Sequence, residues 1–152
     1  GFPEDLGTQD NIMISPSLFK KYIKPVYKEL MKPVKENGIL IHMHSDGFIL
    51  DLMEDIIDCG VDIINPQDLV NGIESLRKYK NKIAINLDID RQRIVPSGTP
   101  GQIDELIKKE VEELGSKKGG LSLTHGLYPG ISYENIEALM KAMEEYSRYY
   151  SK

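Results

Sequence analysis

The chain has 152 residues, of which 40% are hydrophobic and 28% charged, with a formal net charge of -5. That is enough apolar material for one packed domain, and it excludes a disordered chain. No run approaches the ~18 apolar residues of a membrane span, the mild acidity argues against a nucleic-acid-binding face, and the lone Cys59 excludes an intrachain disulfide and a multi-cysteine metal site. The opening Gly1-Phe2-Pro3-Glu4-Asp5 lacks the basic-then-apolar order of a signal peptide and also lacks an initiator Met. A reduced, cytoplasmic setting and a chain entered partway through are expected.

In chain order, Ser15-Pro16 offers a hydroxyl N-cap followed by Pro at the first helical position. Leu18, Tyr22, Ile23, Val26, Tyr27, Leu30 and Met31 then recur at helical spacing, with Pro25 and Pro33 expected to divide residues 16–36 into shorter helices. Apolar runs at 39–44, 61–64, 82–87 and 121–124 read as four strands. Helices are expected over 48–58, 72–80, about 100–115 and from the Ser132 cap onward. Strand and helix alternate, as in a parallel sheet with crossover helices. Two architectures fit: a small open doubly wound sheet, or half of an eight-stranded βα barrel. Length alone favours the open sheet, because a whole barrel takes ~250 residues.

Both architectures bind ligands at the carboxyl ends of their strands. Those ends read His44-Ser45-Asp46-Gly47, Asn65-Pro66-Gln67-Asp68, Asp88-Ile89-Asp90 and Thr124-His125-Gly126. Turn chemistry by itself favours Asp and Asn there, yet the repetition at all four ends marks a candidate site. His42 and His44 face the same way on a strand. They could bind metal, with His125 as a third imidazole, although an unpaired strand His is more often a packed, hydrogen-bonded residue. Arg91 and Arg93 read as solvated loop residues, and Gly72 and Gly98 as ordinary turn glycines. No P-loop, GxGxxG, nucleophile elbow or HExxH is present.

Glu4-Asp5-Leu6-Gly7-Thr8-Gln9 with Met13-Ile14-Ser15-Pro16, then His44-Ser45-Asp46-Gly47, Gly60-Val61-Asp62-Ile63-Ile64-Asn65-Pro66-Gln67, Gly98-Thr99-Pro100 and His125-Gly126-Leu127-Tyr128-Pro129 occur in that order. Together they resemble the uroporphyrinogen decarboxylase superfamily over nearly the whole chain. The resemblance implies α/β architecture as the C-terminal half of a (β/α)8 TIM barrel, four parallel strands with flanking helices, and residues 1–152 as one half-barrel fragment.

It further implies a lyase that removes acetate carboxyls from an acidic tetrapyrrole, without metal or organic cofactor. The resemblance carries over His125 as the catalytic substrate-carboxylate contact or proton relay and Asp5 and Asp46 as substrate contacts; with Tyr128 of the His125–Pro129 stretch and the strand-end residues His44, Gln67 and Asp88 they make up the candidate substrate-binding set. The main acid/base carboxylate would lie in the other half, so the fragment alone is expected to be inactive and to self-associate through its open sheet edges. The same superfamily contains zinc methyltransferases that act with corrinoid proteins or thiols through a His-x-Cys pair. Here the pair reads His44-Ser45-Asp46, which removes the thiolate but leaves a His44/Asp46 zinc site as the alternative.

Overall fold

In the computed structural model, which describes residues 1–151, a two-residue strand β1 (Phe2–Pro3) comes first. The four expected strands follow as β2 (His42–Ser45), β3 (Ile63–Pro66), β4 (Ala84–Asp88) and β5 (Leu121–Thr124). All neighbours are parallel, and the sheet order is the chain order β1-β2-β3-β4-β5. A doubly wound sheet reverses its order at a switch point. This one does not reverse, so its winding is that of a βα barrel. The short β1 extends the expected set, pairing Phe2 with Met43 and Pro3 with His44.

Strands β2, β3 and β4 begin two or three residues later than the apolar runs. Ile39 and Leu40 are exposed below the sheet, whereas Asn65-Pro66 still pairs with His44-Ser45 although Pro66 has no N–H to give. Alternation sends Met43, Ile64, Ile85 and Leu87 into the fully or nearly fully buried layer under the helices. The opposite, concave face carries His42, His44, Asn65, Asn86, Ser122 and Thr124. It is a polar ladder: Ser122 Oγ donates to Asn86 Oδ1 (3.1 Å), Asn86 Nδ2 meets His42 Nε2 (3.3 Å), and Asn65 Nδ2 donates to the Asn86 carbonyl.

The helices follow their caps. Ser15 accepts the Leu18 N–H at the start of α1 (Pro16–Leu18), which continues through a π-helical turn (Phe19–Ile23) into α2 (Lys24–Glu36). The break therefore falls before Pro25, which sits in the first turn of α2, while Pro33 is carried inside it. Residues 48–58 form a 3-10 turn (Leu50–Leu52) and α3 (Met53–Asp58). Two single-turn helices, α4 (Asp68–Asn71) and α5 (Ile73–Leu76), follow β3, and α6 (Ile94–Ser97) follows β4. At four residues, α4 and α6 are too short to show a 3.6-residue period. Thr99 and Gln102 form a reciprocal capping box at α7 (Pro100–Leu114), and Ser132 caps α8 (Tyr133–Tyr146). On α1, the π-turn and α2, Leu18, Tyr22, Val26 and Leu30 form a four-residue-spaced stripe left about half exposed.

Candidate functional site

The loops leaving β1, β2, β4 and β5 converge at the carboxyl rim. Two glycines let the first two meet. Gly47 has φ +79°, and a Cβ there would fall inside 3.0 Å of the Gly7 and Thr8 backbone; one on Gly7 would collide with the Phe48 backbone. Around this contact Gln67 Oε1 accepts the Gly47 N–H (2.9 Å), and Asn71 Nδ2 donates to the Gly47 carbonyl (3.0 Å). Leu6 N–H donates to Ser45 Oγ (3.0 Å). Asp5 is thereby placed beside Asp46, whose backbone N–H approaches Asp5 Oδ1 at 3.4 Å.

Arg91 is the centre of the rim. It is not the solvated loop residue the sequence suggests: its side chain is 21% exposed and reaches back over the sheet. Nη2 meets Asp46 Oδ2 at 2.5 Å, while Nη1 meets the Tyr128 hydroxyl at 3.0 Å and Asp88 Oδ2 at 3.4 Å. The guanidinium also lies 5.6 Å from the Tyr128 ring centroid. Burial pushes the Asp88 carboxyl above its usual range, opposed by the Arg91 charge. Arg93 is exposed, as expected.

Two histidines have their tautomers set by groups that can only accept. His125 Nδ1 lies 3.3 Å from the Ile89 carbonyl and must be the N–H donor. In the neutral ring its Nε2 therefore carries the lone pair, and this atom is buried without a partner among the described residues. The ring stands edge-on to Tyr128, 6.3 Å between centroids. Asn65, whose amide nitrogen is committed to the Asn86 carbonyl, presents Oδ1 to His44 Nδ1 at 2.7 Å. His44 Nε2 then points to Asp46 Oδ1 at 3.4 Å, an approach without a hydrogen bond.

The expected residues thus divide. Asp46, Asp88, Tyr128 and Arg91 form one connected group, with His125 against Tyr128 and with His44 and Asp5 on the Asp46 side. Gln67 is 4% exposed and braces the β2 loop from below. The three-imidazole metal site does not assemble. His42 lies lower on β2, bound to Asn86, and burial lowers its pKa. Among the described residues the group able to hold a metal is Asp5, His44 and Asp46, whose ligand atoms all lie within 4.8 Å of one another. Sequence reading set Arg91 aside as solvated, named Asn65 only as a strand-end residue, and missed Asn86. The Asp88-x-x-Arg91 spacing at a strand end was the available signal for the first.

Sequentially wound parallel strands with ionisable residues gathered at their carboxyl rim define a protein of the βα-barrel class, whose ligand sites lie at that rim. The profile of the uroporphyrinogen decarboxylase (URO-D) family matches residues 7–146, and the chain belongs to that family. It is similar to uroporphyrinogen decarboxylase from Danio rerio (23% identical over 143 residues, 89% of this chain and 38% of the relative). Uroporphyrinogen decarboxylase from Synechococcus sp. strain CC9605 is 29% identical over 133 residues, 85% of this chain and 36% of the relative. Among solved structures, a methyltransferase from Methanosarcina mazei superposes with a TM-score of 0.69 at 17% identity, covering 95% of this chain and 41% of the other, a likeness of fold. The chain therefore spans well under half the length of the proteins it matches. No helix among the described residues is long and apolar enough to cross a membrane.

Proposed function

We propose that this chain is part of a uroporphyrinogen decarboxylase-like lyase that removes acetate carboxyls from a tetrapyrrole. The observation that carries the reading is His125 Nε2, buried at the rim with no partner among the described residues, inside the family-matched span. A buried polar atom without a partner is costly unless something else fills the vacancy.

In such a reaction the pyrrole ring takes a proton, and the electron pair of the breaking C–C bond flows into the cationic ring. Carbon dioxide leaves, and the remaining methylene carbon takes a proton to become a methyl group as the ring gives one up. The rim supplies complementary groups. Asp46 Oδ1 accepts no hydrogen bond from the described residues and can face the developing ring cation. Arg91 retains unused N–H donors for a substrate carboxylate. His125, once protonated, donates from Nε2 to a second carboxylate or passes that proton to the methylene carbon. The described rim holds Asp5, Asp46 and Asp88 against the one arginine, so further cations and the main acid/base group belong to the part of the relatives' length that this chain does not span. Alone, the chain should be inactive, and no cofactor enters the reaction.

The test is carbon dioxide release from uroporphyrinogen by the whole protein. His125→Ala should lower kcat by about 10²–10⁴-fold, the span of a general acid–base contribution. Turnover equal to the parent's would remove His125 from the site.

A second reading is favoured by the Asp5/His44/Asp46 cluster: metal-dependent methyl transfer. The donor set fits zinc, with imidazole Nε2 free and Nδ1 held by Asn65, the outer hydrogen bond that a metal-bound histidine usually makes. Zinc would supply Lewis-acid activation of a bound thiol. Metal analysis of protein purified without chelator separates the two readings: an active, metal-free protein sinks this one, whereas stoichiometric zinc lost on Asp46→Ala supports it.

A further inference from the structure

Under the rim, on the helix side of β3 and β4, three carboxyl groups are packed together. Glu110 of α7 is 0% exposed, and neither of its carboxyl oxygens receives an N–H or O–H from the described residues. The titratable groups facing it are both acids: Asp68, beside it at the start of α4, and Asp90 in the turn after β4. Asp68 is 2% exposed, and its oxygens are already acceptors, Oδ1 for the Leu69 N–H (2.5 Å) and Oδ2 for the Asp90 N–H (2.9 Å).

Two ionised carboxylates have no donor between them, so a buried contact of this kind requires a proton. The two backbone N–H groups favour charge on Asp68, which leaves the proton on Glu110. Asp90, held by Asp68, in turn accepts the backbone N–H groups of Gln92 (3.2 Å), Arg93 (3.0 Å) and Ile94, closing the turn that begins α6. Arg91 is carried on that turn.

We propose that Glu110 is a positioning residue: it donates its carboxyl proton to Asp68, and the pair fixes the turn between Asp88 and Ile94 so that Arg91 reaches Asp46 and Tyr128 at the mouth. The sense of this for catalysis rests on the decarboxylase reading, in which Arg91 meets a substrate carboxylate; the geometry and its test do not.

Burial and the adjacent Asp68 hold the Glu110 carboxyl well above the usual carboxylate range. Because the folded-state value lies above the unfolded one, the stabilisation is fully present below about pH 4.3, the unperturbed Glu value. It is lost as pH rises through the raised folded value, where a charged Glu110 faces Asp68 with no proton left to share.

Hydrogen–deuterium exchange of the amides of residues 90–94 in the whole protein reads this directly. In the parent, protection of the turn should fall about tenfold per pH unit, the slope for one linked proton, until Glu110 is ionised in the folded state. A scan from about pH 5 to pH 9 covers documented buried carboxyls. Glu110→Gln keeps a neutral donor to Asp68 and has no proton to lose, so its turn should stay protected and pH-independent after correction for intrinsic exchange. Glu110→Ala should leave the turn unprotected throughout. Persistence of the pH dependence in Glu110→Gln overturns the proposal, and so does a Glu110→Ala turn as protected as the parent's. If Glu110→Ala does not fold, the Glu110→Gln profile decides alone. A protein inactive on uroporphyrinogen that shows this exchange pattern refutes the functional reading and leaves the role of Glu110 standing.

Discussion

Replacing Gly47 by Ala should separate the β1 and β2 loops and dismantle the Asp5/His44/Asp46 side of the rim. The residue stands at φ +79°, where a side chain costs about 1–2 kcal/mol. The added methyl would also collide with the backbone of Gly7 and Thr8, which cannot rotate aside as a side chain would. Moving the loop breaks the bonds that Gln67 and Asn71 make to the Gly47 peptide groups. We expect a lower Tm, by roughly 2–4 °C for each kcal/mol lost, and loss of turnover even below that Tm. Thermal unfolding together with an assay well below the transition checks it. Full activity in Gly47→Ala would mean that the two loops need not touch.

Arg91→Met is expected to weaken substrate binding more than it slows chemistry. It removes one charge-assisted contact to a substrate carboxylate, about 1.5–3 kcal/mol, or roughly 10–100-fold in kcat/KM, seen mostly as a higher KM. It also strips Asp46 and Asp88 of their cation. With the Arg91 charge gone, the carboxyl of Asp88, which burial already pushes up, should rise further, extending the pH range over which it stays protonated. Arg91→Lys should recover only part of the loss, since a single ammonium cannot span Asp46 and the Tyr128 hydroxyl as the fork does. Steady-state kinetics across pH checks both variants; an unchanged KM in Arg91→Met would place Arg91 outside the binding site.

Local chemistry made much of this legible. The Ser15 and Ser132 caps and the polar strand ends lie within short windows and appear in the structure where the pattern put them, and the apolar runs mark the four strands to within two or three residues. What stayed hidden depends on distant partners. Arg91 looks like any loop arginine until Asp46, 45 residues earlier, is brought beneath it. Nothing in the sequence near Gln67 shows that its oxygen accepts the Gly47 N–H, 20 residues earlier. The closed-barrel or open-sheet question turned on strand order, which periodicity cannot report. One signal was present and unread: Glu110 interrupts the stripe of Ile103, Leu106, Ile107, Val111 and Leu114, and a charged residue on the apolar face of a helix is either paired or protonated.

The most direct measurement is carbon dioxide release from uroporphyrinogen by the whole protein in the presence of a strong chelator. The account predicts stepwise loss of acetate carboxyls, insensitive to chelation and abolished or sharply reduced by His125→Ala. A folded protein that releases no carbon dioxide, but transfers a methyl group to a thiol only when zinc is supplied, would contradict it and hand the rim to Asp5, His44 and Asp46.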